Sequence, residues 1–107
     1  MNRSFFIAGA RYHELLKVVV DIQVGDILQL ITEPSNKFDP NAVRICRGES
    51  AIFLGYVPKR FSSKISALLE AGVVLICTVM EVNPKAKPWE MCKVIIEEED
   101  TNENSDS

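Results

Sequence analysis

At 107 residues the chain is long enough for one hydrophobic core and short for two. With 47% hydrophobic and 25% charged residues it has an ordinary globular composition, and no apolar run reaches the roughly 18–20 residues of a membrane helix. The net charge of −3 hides a split, because six of the fifteen acids fall within residues 97–107 and leave twelve bases against nine acids in the rest; a weakly basic body fits a polyanion ligand and also many inert domains.

The opening residues, Met1-Asn2-Arg3-Ser4-Phe5-Phe6-Ile7-Ala8, hold one positive charge and an apolar stretch too short for a signal peptide, so the protein is expected in the cytoplasm. Phe5–Ala10 reads as the first strand. Arg11-Tyr12 follows at its end and offers a guanidinium fork for phosphate beside a ring face for a base. A snorkelling Arg next to a half-buried Tyr is the plainer alternative. Glu14–Val24 fits either a helical turn or extended chain, and Val18-Val19-Val20 favours extension. Gly25-Asp26 is a turn signal, and Asp26–Thr32 is a strand.

Between that strand and the next, Ala42–Arg47, lies Glu33-Pro34-Ser35-Asn36-Lys37-Phe38-Asp39-Pro40-Asn41. Two prolines and two asparagines make it a loop held in one shape, longer than a plain hairpin needs. An amide (Asn36), a cation (Lys37), an aromatic ring (Phe38) and a carboxylate (Asp39) follow one another along it, which points to binding. Gly48-Glu49-Ser50 turns the chain into Ala51–Val57, where Gly55 signals a close backbone approach or a bulge. Pro58 opens a helix whose apolar stripe is Phe61, Ile65, Leu68 and Leu69 and whose stop is Gly72. Lys59, Arg60 and Lys64 crowd its N-terminal half, against the helix dipole. Val73–Val82 and Trp89–Ile96 are the last two strands, joined by a basic turn. Residues 1–96 are then one domain, and Glu97–Ser107 an acidic, disordered tail. Six strands with one helix make a mainly β protein, a small and strongly bent barrel of OB-like or SH3-like kind.

Cys46, Cys77 and Cys92 each lie in a strand-like run and read as core residues. A zinc site with His13 is the sharper alternative, but close ligand pairs are missing, so no metal and no cofactor are expected. No phosphate loop is present, and His13 has no visible nucleophile beside it, so the chain is not expected to be an enzyme.

The order of features resembles the HIRAN domain family. The resemblance rests on Gly9-Ala10-Arg11-Tyr12, on Gly25-Asp26-Ile27-Leu28-Gln29-Leu30, on the loop Glu33 to Val43, and on Leu54-Gly55-Tyr56-Val57-Pro58. It runs from about Phe5 to Val82. It implies an OB-like fold and a module that binds single-stranded DNA at a free 3′-hydroxyl end, as in relatives fused to SNF2-type helicases of DNA repair. Carried over, Arg11 and Lys59 would meet phosphates, Tyr12 and Phe38 would stack on bases, and Asn36 would bond a base edge. Asp39 would accept from the terminal hydroxyl, Tyr56 would add a further ring, and Trp89 would stack near the end of the site. The implied partners are DNA ends and a helicase or nuclease encoded separately.

A carboxylate among phosphates is repelled, and becomes useful only where the backbone ends in a neutral hydroxyl donor. Two other readings stand beside this one. Asp39 can instead cap its loop by accepting from backbone N–H groups near Asn41 or Ala42. The same barrel can also serve as a protein- or peptide-binding adaptor, through the aromatic loop or a sheet edge.

Overall fold

The structure is a computed structural model and describes residues 2–10 and 14–99. Six strands, β1 (Asn2–Phe6), β2 (Ile27–Thr32), β3 (Val43–Arg47), β4 (Ile52–Tyr56), β5 (Leu75–Val82) and β6 (Cys92–Glu98), are joined by helices α1 (Leu15–Val18) and α2 (Lys59–Glu70). Every pairing is antiparallel, and the strands lie in the order β1-β6-β5-β2-β3-β4. The first strand thus pairs with the last, Asn2 opposite Glu97. The sheet curls into a half-barrel whose two edges are tied, among the described residues, by one bridge. Ala8, two residues past β1, donates its N–H to the Tyr56 carbonyl at 2.9 Å and accepts from the Tyr56 N–H at 2.8 Å.

Gly55 makes that seam possible. A Cβ on it would lie 2.5 Å from the Ala8 carbonyl oxygen and 2.5 Å from Ile7 Cγ2. The neighbouring register also slips: Ile45 opposes Gly55 and Cys46 opposes Phe53, leaving Leu54 as the extra residue of a bulge. Both signals expected of this glycine, close approach and bulge, are therefore present. The bulge sharpens the local twist, which helps bring β4 round to β1.

Inside the curl Ile7, Ile45, Leu54, Ile65, Val79 and Ile96 are fully buried, and each such side chain contributes about 1.5–3 kcal/mol. Helix α2 closes the curl through Ile65 and through Phe61, which stacks on Phe5 with centroids 5.5 Å apart. It ends at Gly72, whose φ of 87° is left-handed, as expected. Cys46, Cys77 and Cys92 are free and buried in this core. Burial pushes the Cys77 thiol up to about 12 and the Cys92 thiol up to about 11, so both stay protonated.

Three boundaries differ from the sequence reading. The first strand is Asn2–Phe6 rather than Phe5–Ala10, because its pairing is set by β6 and beyond Phe6 only the Ile7 N–H to the Cys92 carbonyl and the bridge at Ala8 continue it. Residues 15–21 are helical, with a 3-10 turn at Val19–Asp21, in spite of the valines. Leu15, Val19 and Ile22 are the buried side chains there, and their i, i+4, i+7 spacing overrides the local preference. The last strand begins at Cys92, Trp89 lying in a 3-10 turn at Pro88–Glu90, and it extends through Glu97 and Glu98, which pair with β5. The rest of the expected tail, apart from Glu99, lies outside the described residues, as do Arg11, Tyr12 and His13.

Candidate nucleic-acid interface

The loop between β2 and β3 is built by its own polar groups. Asn36 N–H donates to the Glu33 carbonyl at 3.0 Å, Ala42 N–H to the Asp39 carbonyl at 2.9 Å, and Glu33 N–H to the Ala42 carbonyl at 2.9 Å. The Asn36 side chain is the keystone. Its Oδ1 accepts from the N–H groups of Phe38 (2.8 Å) and Asp39 (2.9 Å), while its Nδ2 donates to Glu33 Oε1 (2.9 Å) and to the Tyr56 hydroxyl (3.2 Å). Both lone pairs and both amide hydrogens are thereby used. Reading a base edge with Asn36 would require giving one of these bonds up.

Glu33 anchors the loop to the sheet. Its Oε1 also accepts from the Tyr56 hydroxyl at 2.7 Å, and its Oε2 takes the Arg44 fork, Nε at 2.9 Å and Nη2 at 2.7 Å. The Arg44 guanidinium lies 4.4 Å over the Phe53 ring, and Phe53 meets Tyr56 edge-on at 5.1 Å. The donors Asn36 and Tyr56, together with Arg44, outweigh burial and hold the Glu33 carboxyl down at about 2. A lowered carboxyl stabilises the fold above its ordinary range near pH 4.5, and that stabilisation is lost as pH falls toward 2. Glu33 lies near the surface, where solvent screens such a pair, so the effect is smaller than the roughly 3 kcal/mol that the whole shift would carry. Glu33→Gln should therefore lower the melting temperature at neutral pH and flatten its decline between about pH 4.5 and 2, measured by thermal melts across that range. An acid limb as steep as the wild type's would assign the decline to other groups.

Between this loop, the seam and the start of α2 lies a cleft of about 510 Å³, lined by Ala8, Asn36, Lys37, Phe38, Asp39, Ala42, Tyr56, Val57 and Lys59. Phe38 is 89% exposed, a ring on the cleft wall with almost no packing of its own. Asp39 is held from two sides: Oδ1 accepts from the Asn41 N–H at 2.9 Å and Oδ2 from the Ser62 hydroxyl at 2.8 Å. The first of these is the loop cap considered as the alternative role of Asp39. Each oxygen still has a second lone pair, so capping and accepting from a ligand are compatible.

Of the residues singled out in the sequence, Asn36, Phe38, Asp39, Tyr56 and Lys59 share this cleft. Arg11 and Tyr12 lie outside the described residues. Trp89 is not among the lining side chains; it is half-exposed in its 3-10 turn, with Lys87 Nζ 5.6 Å from its ring centroid. Sequence reasoning missed Arg44 and Ser62. Arg44 had a signal, an outward cation on a strand beside a loop that begins with Glu33. Ser62 had only a weak one, a polar residue one position from the helix's apolar stripe.

The model of the HIRAN domain family matches residues 2–99. Among curated proteins, a Fanconi-associated nuclease 1 homolog from Arabidopsis thaliana is 34% identical over 65 residues, which are 61% of this chain; the chain spans only 7% of that protein's length. Two crystal structures share the fold. The HIRAN domain of human HLTF superposes with a TM-score of 0.72 at 12% identity, over 91% of this chain and 74% of that one. A protein from Lactobacillus plantarum superposes with a TM-score of 0.76 at 17% identity, over 92% of this chain and 97% of its own.

Proposed function

The chain belongs to the HIRAN domain family, and on that premise we propose that it is a non-catalytic module that grips single-stranded DNA at a free 3′-hydroxyl end, in DNA repair or replication-fork processing. HIRAN domains are DNA-binding modules. The observation that carries the finer reading is the cleft itself, which sets the exposed Phe38 ring, the Lys37 and Lys59 side chains and the Asp39 carboxylate around one volume. The ring offers a sequence-tolerant stacking face to a base, and the lysines suit the phosphates on either side of it. Asp39 belongs where the strand stops. A terminal hydroxyl donates to it, whereas a terminal phosphate brings like charge against it. Tyr56 contributes its ring and, through its hydroxyl, ties the cleft floor to Glu33.

With few cations in the site, affinity is modest and falls with added salt. Any ATP-driven or cleaving step belongs to a helicase or nuclease that the module delivers to DNA ends. The likeness to a segment of a nuclease homolog supports that kind of partner. A cytoplasmic setting belongs to the same proposal; among the described residues no helix is long and apolar enough to cross a membrane.

Titration with two oligonucleotides of one sequence, ending in a 3′-hydroxyl or a 3′-phosphate, tests the reading. The wild-type protein should prefer the hydroxyl end by roughly tenfold or more, the worth of one hydrogen bond to a charged acceptor. Asp39→Ala should lose the preference and keep residual binding through stacking and cations. Because Asp39 also caps its loop, the variant's melting temperature is read alongside. Equal affinity of the wild type for both ends would sink the end-binding reading.

A further inference from the structure

Ser62 sits in the second turn of α2, 2% exposed, and its hydroxyl reaches 23 positions back along the chain to Asp39 Oδ2. A buried serine in a helix usually satisfies itself locally on the carbonyl three or four residues earlier. That acceptor is present here too, the Lys59 carbonyl at 3.1 Å. The hydroxyl has one hydrogen, and the shorter contact is the one to the carboxylate.

Asp39 is thus fixed at both oxygens by different parts of the fold, Oδ1 by the loop's own Asn41 N–H and Oδ2 by α2. One anchor alone would let the carboxylate turn about its last side-chain bond; two anchors set its plane. We propose that Ser62 is a positioning residue that fixes the aim of the Asp39 carboxylate into the cleft and thereby sets how strongly a terminal hydroxyl is preferred to a terminal phosphate. This rests on the end-binding reading above and adds a residue to it.

Direction separates the two ends. A hydroxyl donor needs an acceptor lone pair pointed at it, so its bond weakens when the carboxylate swings. A phosphate is repelled by the charge whichever way the carboxylate faces. Removing the Ser62 hydroxyl should therefore act on one end only, and removing the Asp39 charge on both.

The test measures affinity for the 3′-hydroxyl and 3′-phosphate oligonucleotides in wild type, Ser62→Ala, Ser62→Thr and Asp39→Ala, with a thermal melt of each. Ser62→Ala should bind the hydroxyl end about three- to tenfold more weakly and the phosphate end as before. Ser62→Thr, which keeps the hydroxyl, should retain the selectivity. Asp39→Ala should weaken the hydroxyl end and strengthen the phosphate end. If Ser62→Ala does not fold, Ser62→Cys fills nearly the same space with a poor donor, and the same selective loss is expected of it. Equal weakening of both ends, or no change at either, in the folded Ser62 variant overturns the proposal. A wild type that ignores the terminus brings down the end-binding reading and this proposal together. A wild type that discriminates, beside a Ser62 variant that discriminates equally, brings down this proposal alone.

Discussion

Gly55→Ala should destabilise the domain strongly for a single added methyl group. The added Cβ would lie 2.5 Å from the Ala8 carbonyl oxygen, a backbone atom that is itself fixed by the Tyr56 N–H at 2.8 Å. It cannot withdraw without parting the bridge, and Ile7 Cγ2 on the other side is rooted in the core. Overpacking of a rigid site costs about 1–3 kcal/mol, and two bridge hydrogen bonds are at risk besides. For a domain of this size a loss of about 3 kcal/mol lowers the melting temperature by roughly 10–20 °C. Calorimetry of Gly55→Ala decides it. A melting temperature within about 3 °C of wild type would mean the seam has slack that the distances deny.

Phe38→Ala should do the reverse, leaving stability alone and removing affinity. At 89% exposed the ring buries almost nothing in the free protein, and substitutions at such positions change stability by about 0.5 kcal/mol or less. Stacking on a base, by contrast, is worth about 1–3 kcal/mol, which is roughly a five- to 150-fold loss in affinity for single-stranded DNA. Phe38→Tyr should retain most of the binding. Unchanged affinity in a folded Phe38→Ala would remove the ring from the interface, and with it the reason for an exposed aromatic at the loop tip.

The loop from Glu33 to Val43 was legible because its residues have narrow conformational preferences: prolines fix their own torsions, and asparagine and aspartate side chains fold back on nearby N–H groups. Asn36 and Asp39 both do this. Helix α2 was legible from one stripe and one glycine. The employment of each polar atom was not. Asn36 reads in a sequence as a free amide, whereas the folded loop puts all four of its hydrogen-bonding positions to use. Glu33 and Arg44 are eleven residues apart and Asp39 and Ser62 twenty-three; such pairs depend on how β3 and α2 come to rest beside the loop, which no local pattern encodes. The valines at 18–20 misled for a related reason. Their β preference is local and small, and burying Leu15, Val19 and Ile22 on one side of a turn outweighs it.

The pairing of β1 with β6 has a consequence for how such a domain can travel between proteins. Asn2 faces Glu97 across a single strand spacing, so the polypeptide enters and leaves the fold at nearly one point, about 5 Å apart for paired antiparallel residues. A host protein can therefore open one surface loop, splice the whole unit in, and close again without moving its own framework. The cleft stands clear of that doorway, lined by the Glu33–Val43 loop, the Ala8–Tyr56 seam and the start of α2. None of its lining residues belongs to β1 or β6, so an insertion made at the paired ends adds nothing to the cleft wall.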